Sequence, residues 1–232
     1  MTRLLTAIAI VASTAATAHA QWDAETPLSA TGFDVWGEGI SATGDTLHVV
    51  YGSGDLRYRR STDQGATWTA ERVVGNGTLH LTDPIVADGA DVWVVYLDSI
   101  QVFSDWCCPR DSGRLRMLHS GDGGETWDSP VPLSAPSTAF RYSIAYAAGR
   151  LHLVWMDYRD NRWDTYYRRS TDRGLTWDPE RVIAQGQQVF GAERPQVAAR
   201  GDSVHVTIWD DRAANPPCRN LSTVLRHREA SV

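Results

Sequence analysis

Ser61-Thr-Asp63-Gln-Gly65-Ala-Thr67-Trp68, Ser120-Gly-Asp122-Gly-Gly124-Glu-Thr126-Trp127 and Ser170-Thr-Asp172-Arg-Gly174-Leu-Thr176-Trp177 are three copies of one pattern, Ser-x-Asp-x-Gly-x-Thr-Trp. The residue types describe a tight turn. Short Ser and Asp side chains accept hydrogen bonds from nearby backbone amides, the glycine can take positive φ, and the tryptophan plugs the turn into the sheet below. Each copy is expected to close a hairpin and is read as a staple of the fold rather than a reactive site.

Outward from each copy the text repeats as well. A short strand is expected after each tryptophan, over 68–74, 127–133 and 177–183, and residues 22–28 read like 127–133, so the same strand is expected near the N-terminus. Next comes a strand centred on Ile40, Ile85, Ile144 or Val197, and then a stronger one over 47–51, 92–96, 151–155 or 204–208. These last strands are apolar on both faces, which suits a sheet packed between two others. A third strand, such as 165–169, leads into the turn. Successive tryptophans (22, 68, 127, 177) are 46, 59 and 50 residues apart, with 55 residues from Trp177 to the end. Four strands in about 50 residues make a propeller blade. The units are 22–67, 68–126, 127–176 and 177–232, the last incomplete because 225–231 stands where a strand leads into a turn elsewhere.

The pattern resembles the Asp-box, or BNR repeat, of the sialidase-like (neuraminidase) superfamily. The resemblance implies an all-β fold, a β-propeller of four-stranded antiparallel blades with about four blades present. Two closures are open: part of a six-bladed sialidase-like propeller, which is favoured because unpaired edges would otherwise be left, or a four-bladed ring completed by the strand at 22–28.

Composition narrows the partners. All 22 basic residues are arginine, against 28 acidic ones, giving a net charge of −6. Without lysine there is no Schiff-base chemistry and no Walker phosphate loop, and without a basic tract a nucleic-acid partner is not expected. Residues 1–20 read as a signal peptide, with Arg3, an apolar run over 4–11 and Ala18-His19-Ala20 before the cleavage point. The expected location is secreted, periplasmic or cell-surface. The apolar run is too short to span a bilayer, and 21–232 forms the propeller.

Loops before the first strand and after the second share one face of a propeller, opposite the turns. Before the first strand, Gly37, Thr82, Arg141 and Arg194 share a register, followed by Glu38, Asp83, Tyr142 and Pro195. After the second, Ser53, Asp98, Asp157 and Asp210 align, with Arg159 and Arg212 two residues beyond the last two. Resemblance to sialidases implies an arginine cluster (Arg141, Arg159, Arg194, Arg212) on a sugar carboxylate and Asp157 as acid; Tyr142 and Tyr158 are available as nucleophile and no motif selects either, with Tyr142 taken as the candidate. Planar guanidinium groups suit a carboxylate because they bind it bidentately. Phe140-Arg141 and Glu193-Arg194-Pro195 each match part of the family's Phe-Arg-Ile-Pro element, and the family's late blades, source of its nucleophilic tyrosine and last arginine, are missing.

The plainer reading is that the repeated Asp-x-Arg is a local salt bridge. His48, His152 and His205 share a mid-strand register and are expected to pack between blades. No metal site or cofactor is called for, since no short-spaced ligand pair accompanies them. Cys107 or Cys108 with Cys218 are disulfide candidates on two loops, 103–113 and 212–220, beside Trp106. Three functions stay open: a non-catalytic module binding a glycan or an extracellular protein, a retaining sialidase-type glycoside hydrolase, and a truncated non-functional product.

Overall fold

The computed structural model describes residues 25–29, 37–79, 83–98, 101–105, 108–135, 139–159, 162–186, 192–210 and 224–231. The signal segment, Thr82, Trp106, Cys107, Arg212 and Cys218 lie outside them. The described residues form seventeen strands, all in antiparallel pairs. No helix among the described residues is long and apolar enough to cross a membrane.

The first sheet runs β1 (Glu38–Thr43), β2 (Thr46–Tyr51), β3 (Ser53–Ser61) and β4 (Arg72–Thr78) in spatial order. The second holds β5 (Ile85–Asp88), β6 (Asp91–Leu97), β9 (Leu115–Ser120) and β10 (Val131–Pro132), and is joined to the first at a single pair, Thr78 with Leu97. The third runs β11 (Ala139–Ala147), β12 (Arg150–Asp157), β13 (Asp164–Ser170) and β14 (Arg181–Ala184). In the fourth, β15 (Ala192–Arg200), β16 (Ser203–Asp210) and β17 (Val224–Ser231) pair in order. The strand after each tryptophan therefore pairs back onto the sheet whose turn precedes it, so each sheet crosses the tryptophan boundaries of the sequence units.

Two expectations are corrected. The strands after the tryptophans start at Arg72, Val131 and Arg181, several residues later than the sequence suggested. Each tryptophan is followed instead by one isolated backbone bond, from Thr69 N to Arg60 O, Asp128 N to His119 O and Asp178 N to Arg169 O. Pro130 and Pro132 have no N–H to donate, which fits the two-residue length of β10. The expected loop over 103–113 is largely a hairpin, β7 (Gln101–Asp105) with β8 (Cys108–Ser112). Its alternation was masked by Trp106-Cys-Cys-Pro109, which reads as irregular chain.

Sheet packing follows the two-faced apolar pattern of the second strands. Val50 and Leu56 of the first sheet pack with Ile85, Val92, Val94 and Tyr96 of the second. Trp93, Val95 and Leu97 then meet Ile144, Leu153 and Trp155 of the third. Val154 and Ala184 in turn meet Val197, Val206 and Ile208 of the fourth. Odd and even positions of one strand thus serve opposite neighbours, as the period of two requires. The innermost strands lie side by side: Gly39 leaves no room for a Cβ beside Pro84, Ile144 N donates to Asp83 O at 3.2 Å, and Val197 N donates to Ser143 Oγ at 3.2 Å. No comparable contact joins β15 to β1 among the described residues.

The three Ser-x-Asp-x-Gly-x-Thr-Trp segments form one turn repeated. In each, the Ser hydroxyl donates to Asp Oδ1 at 2.7–2.8 Å and accepts from the Gly amide at 2.8 Å. The Thr amide donates to Asp Oδ1 at 2.8–2.9 Å and its hydroxyl to Oδ2 at 2.5–2.6 Å. The residue after each Asp and the glycine are both left-handed, at φ 59° and 93°, 71° and 89°, and 60° and 90°, which is why glycine stands at the second position. The turns also join sheets. Tyr58 and Arg60 donate to Gly123 O, and Trp93 Nε1 donates to Arg173 O.

Candidate functional site

The face opposite the turns is where the innermost strands begin and the second strands end. Both arginines that start an innermost strand sit in β-bulges. Arg141 drops out of the β11–β12 ladder between Phe140 and Tyr142, with φ 34°; Arg194 lies where β15 slips against β16, with φ 49°. A left-handed φ is uncommon for a side chain of this size and is held only where the surrounding structure enforces it. Its recurrence at one register of two adjacent sheets aims two guanidinium groups from equivalent places, an arrangement bulges commonly provide beside binding sites. The Arg141 guanidinium lies 5.0 Å from the Phe140 ring centre, and that of Arg194 lies 4.2 Å from the Trp209 ring centre.

Tyr142, the residue after the first bulge, points the other way. It is fully buried, and its hydroxyl donates to Val95 O at 2.9 Å, tying the third sheet to the second.

Asp157 ends β12, also fully buried. Its Oδ2 accepts from Arg159 at 2.5 Å and from Trp155 Nε1 at 3.2 Å. Arg159 also pairs with Glu180 and lies 4.1 Å over the Tyr166 ring. Burial works against its charge, but the hydrogen bonds it donates to Asp157 and Glu180, with their negative charge, outweigh that and raise its pKa. Asp164, directly opposite Asp157 across the ladder and likewise fully buried, pairs with Arg162 at 2.8 Å. In the second sheet Asp98 is paired with Arg116 at 2.5 Å. Asp98 and Asp157 therefore each bind an arginine of their own sheet, and Arg159 is turned onto Glu180 and Tyr166 of its own blade.

His48 and His152 are fully buried. Their Nδ1 atoms lie 2.6 Å from Tyr58 Oη and 2.9 Å from Tyr167 Oη. Burial, reinforced by nearby arginine charge, lowers both pKa values to about 4. Among the described residues no group of three or more His, Cys, Asp or Glu is placed to hold a metal ion.

Sequence reasoning missed the aromatic floor of this face. Trp163 lies 6.1 Å from Phe140 and 4.8 Å from Tyr158, ring centre to ring centre, and packs with Met156. It also missed Glu180, although Trp-x-x-Glu recurs at Glu71, which pairs with Arg57 and accepts from Tyr51 at 2.6 Å.

No protein-family model matches the sequence, and no curated protein is similar enough in sequence to register as a relative. Solved structures do match. A Trypanosoma rangeli sialidase in complex with the inhibitor DANA superposes with a TM-score of 0.53 at 14% identity, over 77% of this chain and 35% of that one. A leech intramolecular trans-sialidase gives 0.52 at 19% identity, over 80% and 29%. An exo-1,5-α-L-arabinanase from a bovine ruminal metagenomic library gives 0.52 at 12% identity, over 86% and 75%. The fold is thus that of the sialidase-like β-propellers, built of four-stranded antiparallel blades. The chain spans less than half the length of the sialidases it matches.

Proposed function

We propose that this chain is an exported, non-catalytic propeller module that binds an acidic glycan through Arg141 and Arg194. One observation carries the reading: the groups chemistry would need are consumed inside the fold, while two arginines are set on the ligand face by matching left-handed bulges. Tyr142 is spent on Val95 O and Asp157 on Arg159, both without solvent exposure. A nucleophile or proton donor must come within hydrogen-bond reach of substrate. Guanidinium groups need no activation to bind a carboxylate, and the glycosidase-like fold supplies the customary face.

The test pairs binding with turnover. Calorimetry with a sialylated or uronic-acid oligosaccharide is expected to show saturable binding, weakened about tenfold or more by Arg141→Ala or Arg194→Ala. Release of a fluorescent alcohol from a sialoside is expected to stay at the buffer rate. Release abolished by Asp157→Asn would replace the binding reading with a hydrolase; no binding of any acidic saccharide would remove it.

A further inference from the structure

Arg141 and Arg194 occupy matching bulges, but their guanidinium groups come to rest on opposite sides of β15, the innermost strand of the fourth sheet. On β16, Val204, Val206 and Ile208 pack toward the third sheet. Trp209, the next residue of that strand, therefore faces the other way. The Arg194 guanidinium lies over the Trp209 ring, 4.2 Å from its centre, and so belongs to the far side of the sheet.

Arg141 is held on the near side. Phe140 pairs across the ladder with Met156 and packs with it and with Trp163. Met156 Sδ in turn accepts from Arg194 N at 3.4 Å, so this cluster faces the fourth sheet. The Arg141 guanidinium lies over the Phe140 ring, 5.0 Å from its centre. The backbone of β15 at Arg194 thus has Met156 and the Phe140 cluster on one side and its own guanidinium on the other.

Neighbouring sheets stack about 10 Å apart, which sets the scale of the gap between the two cations. A single carboxylate grips one guanidinium with both oxygens, in a fork of two parallel bonds. It cannot do the same to two guanidinium groups parted by a strand. Attraction between each cation and the ring beneath it opposes swinging either one across. Each arginine therefore calls for an acid of its own, and both acids must belong to one molecule if the two sites are to act together.

We propose that the ligand is a polyuronate, with one carboxylate bound at Arg141 and a second, on another sugar of the same chain, bound at Arg194. This rests on the acidic-glycan reading above and names the class of glycan. A saccharide with one acid occupies one arginine at a time. Joining two weak carboxylate contacts through a sugar chain makes the second contact intramolecular, which raises affinity without any new interaction.

Calorimetry of the purified chain against galacturonic acid and its linear oligomers, from the disaccharide to the hexasaccharide, tests this. The single sugar is expected to bind weakly at two sites per chain. An oligomer long enough to span both arginines is expected to bind at one site per chain, about a hundredfold tighter. Its methyl ester, equal in length and uncharged, is expected not to bind. Arg141→Ala and Arg194→Ala are each expected to return the oligomer to the affinity of the single sugar. The length series with the parent chain decides the matter even where a variant fails to fold. Affinity indifferent to oligomer length, or an ester that binds as tightly as the acid, overturns the proposal. If a sialylated oligosaccharide binds and no galacturonate oligomer does, this proposal falls alone; if no acidic saccharide binds, the glycan reading falls with it.

Discussion

The Tyr58 hydroxyl donates to Gly123 O at 3.1 Å, so a strand of the first sheet ends on the turn of the second. Tyr58 also lies edge-on to Trp127, with ring centres 5.1 Å apart, and is 2% exposed. The repeated turn therefore holds neighbouring sheets together as well as closing its own hairpin. A motif read from its internal chemistry has a second, external task.

Substitution of the turn glycines separates those tasks. Gly65→Ala forces a left-handed alanine into ordinary van der Waals contact with Leu47 and Trp68 of its own sheet, at a cost of about 1–2 kcal/mol. Gly124→Ala meets the same backbone cost and also drives a methyl into the buried Tyr58 ring, so a loss above about 3 kcal/mol is expected. Urea unfolding of both variants measures the difference, and equal losses would show that the turn does not carry the sheet contact.

The turn carboxylates should govern acid stability. Asp63, Asp122 and Asp172 have pKa values held below the ordinary carboxylate range, first by the Thr hydroxyl, then by the Thr amide and the Ser hydroxyl. A folded pKa below the unfolded one gives stability that is present above about pH 4 and lost as pH falls through the folded value. Thr126→Val removes the largest cause at Asp122 and should move that carboxyl's titration, followed by carbon NMR, upward toward its usual value. An unmoved midpoint would refute the assigned cause.

The turns were legible because their hydrogen bonds run between residues at most four apart, so the chemistry is written locally in Ser, Asp, Gly and Thr. The second strands were legible because Val92 to Tyr96 and Leu151 to Trp155 must satisfy a neighbour on each face. The site was legible only as a register. Sequence aligned Arg141 with Arg194 but could not show their shared left-handed bulge, which depends on how β11 and β15 slip against their partners. Nor could it show Arg159 turning to Glu180, because that choice is made by a residue 21 positions away. The hairpin β7–β8 was missed because cysteines and a proline at its bend hide the alternation.

The buried histidines act in a different pH window from the carboxylates. His48 and His152 are held at about 4 by burial first and arginine charge second, against about 6.5 in the unfolded chain. Between those values the unfolded state binds more protons, so stability rises with pH from 4 to 6.5 and is lost as pH falls through that range. Each histidine contributes up to about 1.4 kcal/mol per pH unit there. Melting curves of the His48→Asn/His152→Asn double variant should be lower in absolute stability but flatter across this window. A slope equal to that of the parent would place the proton uptake elsewhere.

Tyr142 distinguishes a structural residue from a reactive one. Its hydroxyl is buried and given to Val95 O, so Tyr142→Phe removes a hydrogen bond between the third and second sheets while keeping the ring. Losing one such bond costs about 1–2 kcal/mol, and the chemical denaturation midpoint should fall accordingly. The ring still fills the same volume, so saccharide affinity by calorimetry should stay within about twofold of the parent, because contacts made by other side chains are retained. A reactive tyrosine would give the reverse: unchanged stability with lost turnover of a sialoside. Measuring denaturation and calorimetry on the one variant separates the two, since a hydroxyl cannot both be buried against Val95 O and attack a sugar bound on the open face.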